Sequence, residues 1–127
     1  MNSEKQKEII QSYLDAYNNF DVEGMMENLH DDVEFINITG GEISTKTQGK
    51  DELKKLAEQS LKYFQSRKQS IIKYESNGDK IIIEVNYSAT IAVDLPNGIK
   101  KGETVNLKGR TEFAFLKDKI ISITDMS

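Results

Sequence analysis

The amino-acid sequence predicts one α+β domain over residues 1–127, in which three N-terminal helices pack on a curved antiparallel sheet around an apolar pocket. Apolar residues recur at helical spacing through the first half of the chain and with a period of two from Lys68 onward. Helices segregated ahead of long strands, with no linker or repeat between them, indicate α+β rather than alternating βαβ units. A length of 127 residues also suffices for one core without disulfide or metal staples.

The first helix runs from about Ser3 to Phe20. Ser3 followed by Gln6 is a capping-box pattern, and Ile9, Ile10, Tyr13, Leu14, Ala16, Tyr17 and Phe20 form one apolar stripe. Asp21 is placed to cap a short second helix whose buried face carries Val22, Met25, Met26 and Leu29. Asp31-Asp32 ends that helix, and Val33, Phe35 and Asn37 then alternate along a strand with Glu34, Ile36 and Ile38. Gly40-Gly41 to about Gln48 reads as a polar loop suited to cover a pocket. The third helix spans about Lys50 to Phe64, with Leu53, Leu56, Ala57, Leu61 and Phe64 on one face.

Beyond Lys68, Ile72 and Tyr74 precede an Asn77-Gly78 turn, a strong hairpin signal. Ile81, Ile83, Val85, Tyr87, Ala89, Ile91 and Val93 share one face of the next strand, with Glu84, Asn86, Ser88 and Thr90 on the other. Asp94 to Gly98 is turn chemistry, opening a second hairpin. The returning strand sends Leu107, Thr111, Phe113 and Phe115 inward and Arg110 and Glu112 outward, and Ile121, Ile123 and Asp125 complete the sheet. The result is a meander of three long strands plus the early strand at Val33.

Composition narrows the function classes. Hydrophobic residues make up 37% and charged residues 30%, the balance of a soluble globular protein. The absence of cysteine excludes a disulfide scaffold, a thiolate zinc site and a cysteine nucleophile. With His30 as the one histidine, no metal and no other cofactor is expected. A net charge of −4, with only short basic runs at Lys54-Lys55 and Lys100-Lys101, argues against nucleic acid. No apolar stretch reaches the ~18 residues of a membrane span. The polar N-terminal segment lacks the apolar run of a secretory signal, so a cytoplasmic location is expected.

Four segments carry a family resemblance: Tyr13-Leu14-Asp15-Ala16-Tyr17-Asn18-Asn19-Phe20-Asp21, Leu29-His30-Asp31-Asp32-Val33-Glu34-Phe35, Gly49-Lys50-Asp51-Glu52-Leu53, and Lys119 to Asp125. In this order they resemble the nuclear transport factor 2-like superfamily, in its SnoaL-like and ketosteroid-isomerase-like branches. The resemblance implies a cystatin-like, cone-shaped roll or barrel, a pocket between helices and sheet, and a homodimer formed through the sheet. It is specific for fold and weak for activity, because this superfold hosts enzymes, binding proteins and assembly modules.

Carried over residue by residue, the resemblance implies only fragments of known machinery. Tyr13 falls where ketosteroid isomerases keep a tyrosine that donates to a developing oxyanion. Their catalytic base falls at Asn37, whose amide cannot abstract a proton, and their protonated aspartic acid falls at Thr111. Against limonene-epoxide hydrolases, Asn37 and Asp125 match an asparagine and an aspartate. Phe35 replaces their tyrosine, and Ser88 and Thr90, or their neighbours in a slipped register, stand where the arginine and aspartate belong, so the acid that protonates the epoxide is missing. SnoaL-like cyclases use cavity carboxylates, a role that leaves Asp125.

The inward alternation supports a pocket for a small, largely apolar molecule. Tyr13, Tyr17, Met26, Phe35, Tyr87, Phe113 and Phe115 would supply its walls, with Asn37, Thr111 and Asp125 as polar contacts. The enzyme alternative is a cofactor-free isomerase, cyclase or hydratase in which Asp125 acts as base while Tyr13 and Asn37 polarise a carbonyl. It requires Asp125 to face the pocket with a raised pKa. A homodimeric scaffold without ligand is the third class, although the outer sheet face is polar. Plainer roles stand beside these: Tyr13 and Tyr17 as core aromatics, Asn37 as a structural amide, Asp125 as a solvated chain end. His30 reads as a helix cap beside Asp31-Asp32.

Overall fold

The computed structural model describes residues 3–127; residues 1 and 2 of the expected domain lie outside the described residues. The order is α1 (Ser3–Asn18), α2 (Val22–Glu27), β1 (Leu29–Thr39), β2 (Glu42–Gln48), α3 (Lys50–Ser60), a 3-10 turn (Leu61–Tyr63), β3 (Phe64–Asn77), β4 (Lys80–Ile91), β5 (Thr104–Leu116) and β6 (Lys119–Met126). The α+β class and the helices packed on a curved sheet are as expected. The sheet has six strands in the order β2-β1-β6-β5-β4-β3 and does not close.

Each helix follows from its apolar stripe. α1 buries Ile9, Ile10, Tyr13, Leu14 and Ala16. Asp21 caps α2, its side chain accepting from the Gly24 N–H at 3.0 Å. Gly24 leaves room for this cap, since an added Cβ would press on the Asp21 carboxylate and displace it. The core runs between this helical layer and the sheet, with Ile10, Val33, Ile83, Phe113 and Ile120 fully enclosed.

Several local expectations are corrected. Residues 42–48 form β2, not a loop: β-branched Ile43, Thr45 and Thr47 alternate with polar residues and pair with β1, although little of the strand is buried. Leu29 begins β1 instead of ending α2, and His30 accepts from the Asp32 N–H at 3.0 Å within that strand, so it caps no helix. α3 ends at Ser60, and Phe64 opens β3. Leu107 pairs with Tyr87 and shares its face, yet lies 55% exposed beyond the reach of the helices, and Val93 lies past the end of β4.

The decisive difference is topological. All strand pairs are antiparallel except β1 with β6, which is parallel. This pairing moves β6 from an edge to the middle of the sheet, between β1 and β5. Backbone bonds from Ser127 N–H to Ile38 O (3.0 Å) and from Gly40 N–H to Ser127 O (3.2 Å) clamp its end. Asp125 is therefore held in a central strand, not a frayed terminus. Among the described residues no helix is long and apolar enough to cross a membrane.

Candidate functional site

A cavity of about 400 Å³ lies between the helices and the concave face of the sheet. α1 contributes Tyr13, Leu14 and Tyr17, and α3 contributes Leu53, Leu56 and Ala57. Strand register orders the floor. Asn37, Asp125 and Thr111 sit side by side on β1, β6 and β5. Two residues back along β1 and β6, and two residues on along the antiparallel β5, Phe35, Ile123 and Phe113 make the adjoining apolar row.

The polar row is not a symmetric triad. The Thr111 hydroxyl donates to Asp125 Oδ1 at 2.8 Å, a bond that favours the ionised carboxylate. Burial in the cavity wall acts against ionisation and wins, raising the Asp125 pKa from 3.8 to about 6. Asn37 lines the cavity, but its amide hydrogens go to Ser44 Oγ (2.7 Å) and Thr39 Oγ1 (3.3 Å) within the β1–β2 hairpin. Both amide hydrogens of Asn37 are therefore engaged within the hairpin, which leaves none free for the expected polarisation of a carbonyl.

The tyrosines are held as neutral phenols. Burial first, then the charge of Asp125, pushes the Tyr13 hydroxyl far above the ordinary phenol range. The Tyr13 ring meets Phe113 edge-on with centroids 6.2 Å apart. The Tyr17 hydroxyl donates to the Tyr87 hydroxyl at 3.1 Å across the cavity, and burial raises both pKa values.

Of the residues expected at the site, Tyr13, Tyr17, Phe35, Asn37, Tyr87, Thr111, Phe113 and Asp125 surround this one cavity. Met26 and Phe115 do not. One residue along a helix is a rotation of about 100°, so Met25 faces the cavity and Met26 is buried in the core. A bulge between Ala114 and Phe115 and the distance along β5 carry Phe115 to the opposite end of the molecule, beside Ser3 and Gln6.

Arg67 and Gln69 also line the cavity and were missed, because the period-two reading began at Lys68. A bulge between Phe64 and Ser66 shifts the alternation by one residue, so Arg67 and Gln69, not Ser66 and Lys68, share the inward face with Phe64. Arg67 is 5% exposed and its Nε donates to Tyr17 O at 3.0 Å. No cluster of three or more His, Cys, Asp or Glu side chains able to hold a metal occurs among the described residues.

The family model of the SnoaL-like domain matches residues 10–123. No curated protein matches the chain. Among solved structures, the fold is similar to a candidate polyketide cyclase from Xanthomonas campestris pv. campestris (TM-score 0.81, 17% identity, 100% of this chain and 93% of that one). It is also similar to a Catenulispora acidiphila protein with a ketosteroid isomerase-like fold, in complex with trimethylamine (TM-score 0.76, 16% identity, 93% and 83%). A third likeness is to an epoxide hydrolase of M. tuberculosis resembling limonene-epoxide hydrolase (TM-score 0.73, 17% identity, 94% and 79%). At these identities the likeness is one of fold.

Proposed function

The chain belongs to the SnoaL-like domain family, and from Asp125 in the cavity wall we propose that it binds a small, largely apolar carbonyl compound and moves a proton on it without a cofactor. The carrying observation is a carboxyl group with its pKa raised to about 6 in an apolar cavity. A general base works best when its pKa lies near the operating pH. A cavity of about 400 Å³ suits a molecule of one or two rings.

The chemistry follows from the two facing groups. Ionised at neutral pH, Asp125 takes a proton from the carbon beside the carbonyl, and the C–H electron pair moves into an enolate. Tyr13, kept protonated, donates to the oxygen on which negative charge develops. The neutral Asp125 then returns the proton. Delivery to a different carbon isomerises the compound, whereas attack of the enolate on a second carbonyl cyclises it. The candidate polyketide cyclase among the similar structures agrees with chemistry of this class.

Hydrogen exchange on 2-tetralone in D2O, followed by proton NMR, tests the reading. The protein should accelerate loss of the α-proton signals, with a rate that rises with pH through about 6. Asp125→Asn should remove about a hundredfold or more of the acceleration. Equal rates in the two proteins would discard Asp125 as the base. Ligand binding without turnover is the second reading, favoured by the engagement of Asn37 within its hairpin, which leaves Tyr13 as the oxyanion donor. Binding of 2-tetralone without exchange would select it.

A further inference from the structure

Proton transfer at Asp125 leaves Arg67 without a role. Its side chain is 95% buried, an unusual place for a guanidinium. Nε is satisfied by Tyr17 O, but Nη2 has no hydrogen-bond partner among the described residues. None of the ion pairs among those residues involves Arg67. The cavity's own carboxylate takes its bond from Thr111 instead.

The guanidinium is nonetheless held in place. It lies 3.7 Å from the Tyr17 ring centre and 4.7 Å from that of Phe20, contacts that offset part of its desolvation. Beside it, Asn18 clasps α1 to β3, donating to Gln69 O at 3.1 Å and accepting from the Gln69 N–H at 2.8 Å. Arg67 thus lines the cavity as a fixed positive charge, with its Nη2 unpaired and enclosed by the surrounding protein. Burial of a charge is unfavourable unless it is paired and hydrogen-bonded, and a planar guanidinium matches a carboxylate through parallel N–H···O bonds.

We infer that the cavity binds an organic acid, with an apolar body against Phe113 and Tyr13 and a carboxylate paired with Arg67. This rests on the reading of the cavity as a small-molecule site and is independent of proton transfer by Asp125.

Calorimetric titration at pH 7.5 with 2-naphthoate and its neutral analogue 2-naphthamide tests the inference on the intact protein. The acid should bind at least about tenfold more tightly than the amide, the range of one charge-assisted bond. Arg67→Met should erase that preference, weakening the acid far more than the amide, and Arg67→Lys should keep part of it. Equal affinities of acid and amide in the wild type would overturn the anion site and leave the apolar cavity standing. Binding of neither compound would overturn both. Acid preference together with failed exchange on 2-tetralone would retain the Arg67 site and discard only the proton-transfer chemistry.

Discussion

Thr111 and Asp125 face each other directly across β5 and β6, and the Thr111 hydroxyl donates to the Asp125 carboxylate at 2.8 Å. The bond supports the charged form, yet burial dominates and lifts the carboxyl to about 6. The same balance prepares a base for neutral pH and makes Asp125 a source of instability when ionised.

Stability should therefore depend on pH through this residue. Between the ordinary value of 3.8 and the folded value of about 6, the folded state binds the Asp125 proton more tightly than the unfolded chain does. Its contribution is full below that window and lost as pH rises through about 6. Asp125→Asn should exceed the wild type by up to about 3 kcal/mol at pH 8 and converge with it near pH 4, read by urea unfolding. A pH-independent difference between the two proteins would contradict the buried carboxyl.

Removing the donor should act in the opposite sense. Thr111→Val leaves the ionised Asp125 without its charge-assisted bond, so the carboxyl should titrate above about 6 in carbon-13 NMR. The same variant should lose about 1–2 kcal/mol at pH 8 and less at pH 4.

Tyr13→Phe separates packing from chemistry. The edge-on contact with Phe113 survives the substitution, so the melting temperature should change little. Exchange on 2-tetralone should slow by on the order of a hundredfold, the effect of deleting one oxyanion donor, mainly in kcat. A fall in KM-related binding alone would assign Tyr13 to the wall.

The cap of α2 is a structural test remote from Asp125. Asp21→Ala removes the bond to the Gly24 N–H and should cost about 1 kcal/mol in urea unfolding. Gly24→Ala should cost at least as much, because its Cβ would displace the Asp21 carboxylate. A neutral Gly24→Ala would mean that the cap readily rearranges.

Much of this was legible beforehand, for definite reasons. Ile9, Tyr13, Leu14 and Ala16 advertise a helix because side-chain direction repeats with the helical turn, and Ile81, Ile83 and Val85 advertise a strand through alternation. Both patterns survive in the structure as buried faces. β2 escaped because a strand with little burial carries no apolar alternation, only β-branched residues. Arg67 escaped because a charged residue at a helix-to-strand junction reads as solvated, and its enclosure depends on Tyr17 of α1 and Phe20 of the turn after it, both distant in sequence.

The sequence by itself determined the order of elements apart from β2 and most of the inward faces, because these rest on spacings within single segments, while the resemblance of four segments pointed to the family. Only the tertiary structure decided that β6 runs parallel to β1 in the middle of the sheet, aligning Asn37, Asp125 and Thr111. It alone separated Met25 in the cavity wall from Met26 in the core. Strand pairing and register are chosen by the free energy of contacts distant in sequence. A carboxylate near the end of the chain is a solvated acid or a buried base according to what lies across the ladder from it.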